Sequence, residues 1–307
     1  MNNRRLFIKK LGLSALSLAL TPKIVLAENN VKKITILHTN DMHSRILPFS
    51  KGKYKGLGGM AQRSYIIKKI RTQEKNVLLF DAGDIFQGTP YFNFYNGELE
   101  LKLMSEIGYD ASTMGNHDFD NGILGFHKQL TNVNFPFIVS NYDFSNTILK
   151  NKIKKYKIFK KDDLKIGVFG IGIKLDGLVP KSLYKETIYE DPIEKSRYYI
   201  NILKNRLKCD MIICLSHLGY RYNSNKISDI KLAKETSNID LIIGGHTHTF
   251  LKEPSTILNK EKKEVLINQV GYGGINIGKI DFYFRQNRRL SDVKSSSIFV
   301  KNSGINI

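Results

Sequence analysis

Five short polar motifs in this 307-residue chain contain the residue types that bind transition metals. Imidazole and carboxylate groups together suit zinc, manganese, iron or nickel, whereas calcium prefers a set of oxygen ligands. Five of the seven histidines fall within these motifs. The motifs are Asp41-x-His43, Gly83-Asp84, Gly115-Asn116-His117-Asp118, Ser216-His217 and Gly245-His246-Thr247-His248.

The motifs offer more ligands than one metal ion can hold. A carboxylate shared between two ions can keep them about 3.5–4 Å apart. Asp84 is the natural bridge, because it follows an apolar strand and stands midway in the order of the ligands. We therefore predict a dinuclear metal centre. The motifs supply two aspartates, one asparagine and four histidines as candidate ligands.

Each motif follows a short apolar run of strand type, and helical patterns separate several of these runs. In open α/β sheets, functional sites form beyond the carboxyl ends of the strands. The alternation predicts an α/β fold, and the absence of a repeat or a Pro/Ser-rich linker favours one domain. The predicted strands are 34–39, 77–80, 111–114, 137–140, 165–171, 211–215, 241–243, 265–270, 275–284 and 297–300, and the predicted helices are 58–74, 99–107, 194–207 and 228–236.

The composition excludes a disordered chain, a fibre and a multi-span membrane protein, because 41% of the residues are hydrophobic and 25% are charged. The net charge of +20 raises the possibility of nucleic-acid binding. The densest basic run, residues 150–165, holds eight lysines without an Arg or Gly repeat. This pattern favours a solvated basic face over a nucleic-acid track, and it leaves a general attraction for anionic substrates.

Residues 1–27 have the layout of a signal peptide: a charged start, a short apolar middle and small residues at the exit. Arg4-Arg5, followed by x-Phe-Ile-Lys, resembles a twin-arginine export signal. The apolar run is too short for a stable membrane span, although an uncleaved anchor is the alternative. We expect the twin-arginine export machinery to carry the protein to the bacterial periplasm.

Cys209 and Cys214 point to opposite faces of one strand, so we predict two buried free thiols.

The order of the five motifs resembles that of the calcineurin-like metallophosphoesterases. Within that superfamily it resembles the catalytic domain of bacterial periplasmic 5′-nucleotidases and UDP-sugar hydrolases. The resemblance covers about residues 32–300 and is carried by residues 36–43, 81–84, 115–122 and 269–274. It implies a single-domain four-layer α/β/β/α sandwich over residues 28–307. Because the sequence stops at Ile307, we expect the C-terminal substrate domain of those nucleotidases to be absent.

The same resemblance implies a role for each candidate residue. The first metal falls to Asp41, His43, Asp84 and His248, and the second to Asp84, Asn116, His217 and His246. His117 is then a catalytic residue near the phosphate, paired with Asp120, and both Asn116 and His117 contact the substrate. The cofactors are two divalent ions such as manganese, zinc or iron.

The implied activity is hydrolysis of phosphomonoesters, with nucleotides as the favoured substrates, by in-line attack of a metal-bound hydroxide. The alternatives are a phosphodiesterase or nuclease, a UDP-sugar hydrolase, a thiosulfonate hydrolase, and a metal-binding partner protein without catalysis. Contacts to the substrate are expected from Phe250, from residues 220–225, from an unknown partner chain, or from the aromatic segment 86–95, for which core packing is favoured.

Overall fold

Two β-sheets form the centre of residues 31–301, the part of the chain that the computed structural model describes. The first sheet has the strand order β13-β12-β1-β2-β3. Strands β1 to β3 are parallel, β12 pairs antiparallel with β1, and β13 pairs antiparallel with β12. The strands are β1 (Lys32–Thr39), β2 (Val77–Asp81), β3 (Ala111–Ser112), β12 (Asn276–Phe284) and β13 (Leu290–Phe299).

The second sheet has six strands in the order β10-β11-β9-β8-β6-β5. Its four inner strands are parallel, and both edge strands are antiparallel. The strands are β5 (Tyr156–Lys161), β6 (Leu164–Ile171), β8 (Met211–Ser216), β9 (Leu241–Gly244), β10 (Ser255–Leu258) and β11 (Glu264–Asn268). A separate two-stranded ribbon pairs β4 (Tyr142–Asp143) with β7 (Ile188–Tyr189).

Seven α-helices connect and cover the sheets within the described residues. They are α1 (Met60–Gln73), α2 (Pro90–Tyr95), α3 (Glu98–Ile107), α4 (Gly122–Gln129), α5 (Lys181–Tyr184), α6 (Pro192–Asn201) and α7 (Asp229–Glu235). The four predicted helices correspond to α1, α3, α6 and α7. A π-helical turn, Ile202–Arg206, extends α6 towards the predicted end. Ser228 caps α7 by accepting the backbone N–H of Lys231, which fixes the start of that helix.

Side chains of alternating direction divide the interior into three apolar layers. In β2, Leu78 and Phe80 lie between the two sheets, whereas Leu79 faces the helices on the first sheet. In β6, Val168 lies between the sheets and Phe169 faces α6 and α7. Helix, sheet, sheet and helix are therefore stacked in four layers, and the predicted α/β sandwich is confirmed.

The predicted strand 137–140 is wrong. The backbone N–H of Ile138 donates to Ser112, whereas that of Val139 donates to Lys154. Because successive residues bond to different segments, only isolated bridges form and no ladder develops. The sequence patterns did not reveal α2, α4, α5, β5, β10 or the ribbon.

Two expectations concern the chain as an exported protein. Cys209 and Cys214 are buried free thiols, as predicted. None of the described helices has both the length and the apolar character that a membrane crossing needs. The predicted signal peptide, residues 1–27, lies outside the described residues.

The apolar layer between the two sheets contributes to the stability of the fold. Replacement of Phe80, which lies in this layer, tests the size of that contribution. Its side chain is fully buried, and its ring centroid lies 5.5 Å from that of Phe159. We expect Phe80→Ala to lower the free energy of unfolding by about 3–5 kcal/mol, because it leaves a cavity. Urea unfolding followed by circular dichroism measures this. Phe299→Ala, at a residue that is 58% exposed, is the control and should change stability by about 0.5 kcal/mol or less.

Candidate metal centre

The predicted ligands lie together at the carboxyl ends of strands from both sheets. Asp41 and His43 follow β1, Asp84 follows β2 and Asn116 follows β3, while His217 follows β8 and His246 and His248 follow β9. Two groups could each hold a metal ion: Asp41, His43 and His248, and Asp84, His217 and His246. Within each group the candidate ligand atoms lie within 4.8 Å of one another. Each group draws on both sheets.

The nitrogen and oxygen atoms of the first group face each other. His43 Nε2 lies 2.9 Å from His248 Nε2, and the latter lies 3.4 Å from Asp41 Oδ1. When both imidazoles carry their proton on Nδ1, each Nε2 presents a lone pair, and a cation between the two rings would be bound by both lone pairs. This donor set of two imidazoles and a carboxylate fits a divalent transition metal.

The second group shows the hydrogen bonding that orients a metal-binding histidine. His217 Nδ1 lies 2.6 Å from the carbonyl oxygen of Ala82, so the bond to that carbonyl places the proton on Nδ1. His217 Nε2 then faces Asp84 Oδ2 at 3.1 Å. On the other side, His246 Nδ1 lies 2.8 Å from Asn116 Oδ1. The asparagine therefore belongs to the second group by position.

Asp84 lies between the two groups. Its Oδ2 atom is 3.1 Å from His217 Nε2 in the second group and 4.0 Å from His43 Nε2 in the first. Its Oδ1 atom accepts the backbone N–H of His117 at 2.8 Å. This position is the one expected of a carboxylate that bridges two ions.

Burial and neighbouring charges shift the pKa values of these groups. Burial lowers the pKa of His217, but the carboxylates of Asp84 and Asp41 outweigh it and raise the pKa to about 10. Burial raises the pKa of Asp84, but His217 and His43 outweigh it and hold the pKa well below its usual range. Burial and the charge of His217 lower the pKa of His246 to about 4. Two buried carboxylates thus draw positive charge into the site, and divalent cations can supply it.

Several ligand residues have an unusual backbone conformation. The φ angles are 49° for Asp41, 46° for His43, 56° for Asp84, 72° for His246 and 51° for His248. Residues other than glycine seldom adopt positive φ, and such strain concentrates at functional sites. The surrounding structure must therefore hold these loops in place.

Asp118 holds the loop that carries Asp84. Its carboxylate accepts the backbone N–H groups of Asp84, Ile85, Phe86 and Gly115 at 2.8 to 3.3 Å. Asp118 stands in one of the five motifs, but its role is not predictable from the sequence, because its four partners are backbone groups that a residue pattern does not reveal.

Asn40 and Gln269 hold the remaining loops and were also missed. Asn40 Nδ2 donates to Asp41 Oδ2 and to the carbonyl of Gly271, both at 2.6 Å. Gln269 Nε2 donates to the carbonyl of Gly245, next to His246, at 2.6 Å. These two amides tie the segment 269–274 to ligand loops of both sheets.

His117 and Asp120 lie beside the two groups, outside both. His117 Nδ1 is 2.8 Å from Asp120 Oδ2, and the His117 ring lies 5.3 Å from that of His43, edge to face. The hydrogen bond to Asp120 raises the pKa of His117, which outweighs the opposing effect of burial. The half-buried imidazole is thus disposed to carry a proton next to the metal groups.

The aromatic segment 86–95 divides between core and surface. Phe86 and Phe92 are buried and stack at 5.3 Å, in line with the favoured core packing. Phe94 is 78% exposed and Tyr95 is 50% exposed on α2. Elsewhere, Phe250 is 40% exposed and lies close to His248 in the chain.

Comparison with known proteins gives consistent matches. Residues 34–250 match the family model of the calcineurin-like phosphoesterases. A snake venom 5′-nucleotidase of Gloydius brevicauda is 36% identical over 237 residues, which cover 73% of this chain and 39% of that protein. The trifunctional nucleotide phosphoesterase YfkN of Bacillus subtilis is 30% identical over 86% of this chain and 19% of that protein. The chain thus spans less than half the length of these curated relatives.

The fold matches solved structures as well. The crystal structure of a 5′-nucleotidase precursor from Thermus thermophilus superposes with a TM-score of 0.79 at 28% identity. The match covers 88% of this chain and 55% of that one.

Replacement of Asp118 tests whether its carboxylate positions the site. Asp118→Asn turns one acceptor oxygen into an amide that faces N–H donors, so we expect a loss of about 2–3 kcal/mol in the free energy of unfolding and weaker metal retention. Urea unfolding and elemental analysis of the purified protein measure the two effects. Asp143→Asn is a matched control, because Asp143 also accepts a backbone N–H, from Ser145, but at an exposed position. Unchanged metal content and stability in Asp118→Asn would contradict the positioning role.

Proposed function

The chain belongs to the calcineurin-like phosphoesterase family, and from this premise we propose that it hydrolyses nucleotide phosphomonoesters with two divalent metal ions, as a 5′-nucleotidase does. The observation that carries the proposal is the position of Asp84 between two ligand groups, with the His117–Asp120 pair beside them. The similarity to nucleotidases over about three quarters of the chain supports nucleotides as substrates.

In this proposal the two ions would share Asp84. The first would be held by Asp41, His43, Asp84 and His248, and the second by Asp84, Asn116, His217 and His246. When bound, such ions lower the pKa of a coordinated water and neutralise the charge of a phosphate oxygen. The mixed nitrogen and oxygen donors suit manganese, zinc or iron.

The side chains that do not hold metal supply the remaining chemistry. Asp120 keeps a proton on His117 Nδ1, which fixes the tautomer and orients the ring. His117 can then stabilise the charge that develops on the phosphoryl oxygens and hold a proton for the departing oxygen. The amide of Asn116 contacts a phosphate oxygen in the same arrangement.

Cleavage of nucleotide phosphodiesters is a second candidate function. The relative that matches 86% of this chain is named a trifunctional nucleotide phosphoesterase. Diesters need the same metals and the same in-line attack, so only the room beside the phosphate would distinguish the two substrate classes.

We also propose that the protein is exported through a twin-arginine signal in residues 1–27 and works in the periplasm. The paired arginines, the short apolar stretch and Ala27 support this. The twin-arginine route carries folded proteins, which suits a domain whose ligands come from distant parts of the chain.

Hydrolysis by the purified chain with added Mn²⁺, compared with EDTA, tests the proposed function. Released inorganic phosphate measures cleavage of a monoester, and chromatography of the products measures cleavage of a diester or of UDP-glucose, neither of which releases inorganic phosphate. We expect hydrolysis of AMP that EDTA abolishes, because the proposed reaction requires both ions. UDP-glucose, cyclic AMP and an artificial phosphodiester serve as comparison substrates. Activity confined to diesters would favour the second candidate, and metal-loaded protein without any hydrolysis would sink both.

Two substitutions separate metal binding from catalysis. Asp84→Asn removes the charge of the proposed bridge, so we expect a loss of bound metal together with activity. His117→Ala should retain both metals and lose turnover about 100-fold or more, in line with the contribution of a general acid or base. Elemental analysis and steady-state kinetics measure both variants. Loss of metal from His117→Ala would show that the residue roles are assigned incorrectly.

A further inference from the structure

Four aromatic side chains form a cluster beside the metal centre, which we call the aromatic cluster: Phe49, Tyr54, Phe250 and Tyr272. The rings of Tyr54 and Phe250 are stacked at 5.8 Å, with 23° between their planes. Phe49 and Phe250 meet the ring of Tyr272 edge to face at 6.0 and 6.1 Å. These residues come from three separate segments of the chain, so no single motif in the sequence reveals the cluster.

The aromatic cluster borders the first ligand group directly. The ring of Tyr272 stacks on that of His248 at 5.0 Å, with 20° between the planes. Because only a ribose separates phosphate from base in a 5′-nucleotide, a surface that binds the base must lie this close to the metals.

The cluster is fixed relative to the ligands by backbone hydrogen bonds. The N–H of Gly273, next to Tyr272, donates to the carbonyl of Asp41 at 2.7 Å. The N–H of Gly271 donates to the carbonyl of Thr249, next to Phe250, at 2.9 Å. The aromatic surface is therefore held in place before any substrate arrives, which reduces the entropic cost of binding.

Part of the cluster remains open to solvent, and it carries positive charge. Phe250 is 40% exposed, and the other three rings are half-buried. The Arg45 guanidinium lies 4.0 Å from the centre of the Phe49 ring, and its Nε atom is buried without a hydrogen-bond partner. Lys53 Nζ lies 5.1 Å from the Tyr54 ring. An aromatic surface with nearby cations suits an electron-rich planar heterocycle.

We propose that the aromatic cluster is a nucleobase-binding subsite, which selects nucleoside monophosphates over phosphate esters that lack a base. This inference rests on the proposed function, because it names the part of the substrate that lies beside the phosphate. Every nucleobase has a π-face that can stack on an aromatic side chain, so the subsite accepts purines and pyrimidines alike.

The exposed aromatics of α2 are a weaker candidate for this role. Phe94 is 78% exposed, and no aromatic ring of the described residues packs against it. A base at Phe94 would gain one isolated ring, whereas the aromatic cluster offers several rings that already contact a candidate ligand.

The test compares kcat/KM for AMP with kcat/KM for ribose 5-phosphate, which carries the same phosphoester without the base. We expect the wild-type chain to prefer AMP, and Phe250→Ala and Tyr54→Ala to lower the ratio of the two values about tenfold. Phe250→Leu keeps an apolar side chain and removes the ring, so it should lower the ratio similarly. Phe250→Tyr keeps the ring, so its ratio should stay near that of the wild-type chain. Tyr198→Ala, at a 56% exposed aromatic on α6, is the matched control and should leave both values unchanged.

The outcomes distinguish this inference from the proposed function. If the Mn²⁺-loaded wild-type chain hydrolyses neither compound, the proposed function fails. If it hydrolyses both compounds and the ratio is unaffected in Phe250→Leu and Tyr54→Ala, the subsite is refuted while the phosphohydrolase stands. If the ratio of the two kcat/KM values falls in Phe94→Ala and stays constant in the cluster variants, the base binds at α2, and the subsite at the aromatic cluster is refuted. Inhibition of ribose 5-phosphate hydrolysis by adenosine, weakened in Phe250→Leu, gives independent support.

Discussion

Asp41 and Asp84 are both buried, with 0% and 1% exposure, in one cluster of polar groups. Two carboxylates without water repel each other and lose their hydration, so such a pair persists only where positive charge compensates it. The first sheet supplies both aspartates, whereas the second supplies three of the surrounding imidazoles. The two sheets must therefore meet at their carboxyl ends, and the four-layer packing brings the imidazoles to the carboxylates.

The need to bring charged and imidazole side chains together imposes an unfavourable backbone conformation on several ligand residues. Five ligand residues adopt positive φ although glycine would do so more easily. Glycine has no side chain to offer a metal, so the strain is retained and other groups stabilise it. Asp118, Asn40 and Gln269 donate or accept hydrogen bonds at the backbone of these loops, and each is buried. The candidate centre thus depends on polar residues outside the set of ligands. Of these three, Asn40 also contacts a ligand side chain, that of Asp41.

Much of the fold was predictable from sequence because apolar runs mark buried strands and the polar residues after them mark loops. The candidate metal ligands were equally predictable, because residue type and motif order identify side chains such as those of His43, Asp84 and His217. Other features depend on contacts between distant segments, which periodicity does not report. The run 137–140 is apolar enough for a strand but has two different hydrogen-bonding neighbours. The aromatic cluster joins residues far apart in the chain, such as Tyr54 and Phe250, and Asp118 acts on backbone groups.

Each candidate ligand group contains residues from both sheets, so a bound ion is also a cross-link between the two halves of the sandwich. A ligand that binds only the folded state adds to stability by mass action, by about 2.7 kcal/mol at a free concentration 100 times its dissociation constant. Without ions, the buried acidic groups at the carboxyl edges depend on protonated histidines and on hydrogen-bond donors for compensation. Metal scarcity would then raise the unfolded fraction and expose the chain to proteases. The supply of divalent ions would in this way govern how much of the protein survives.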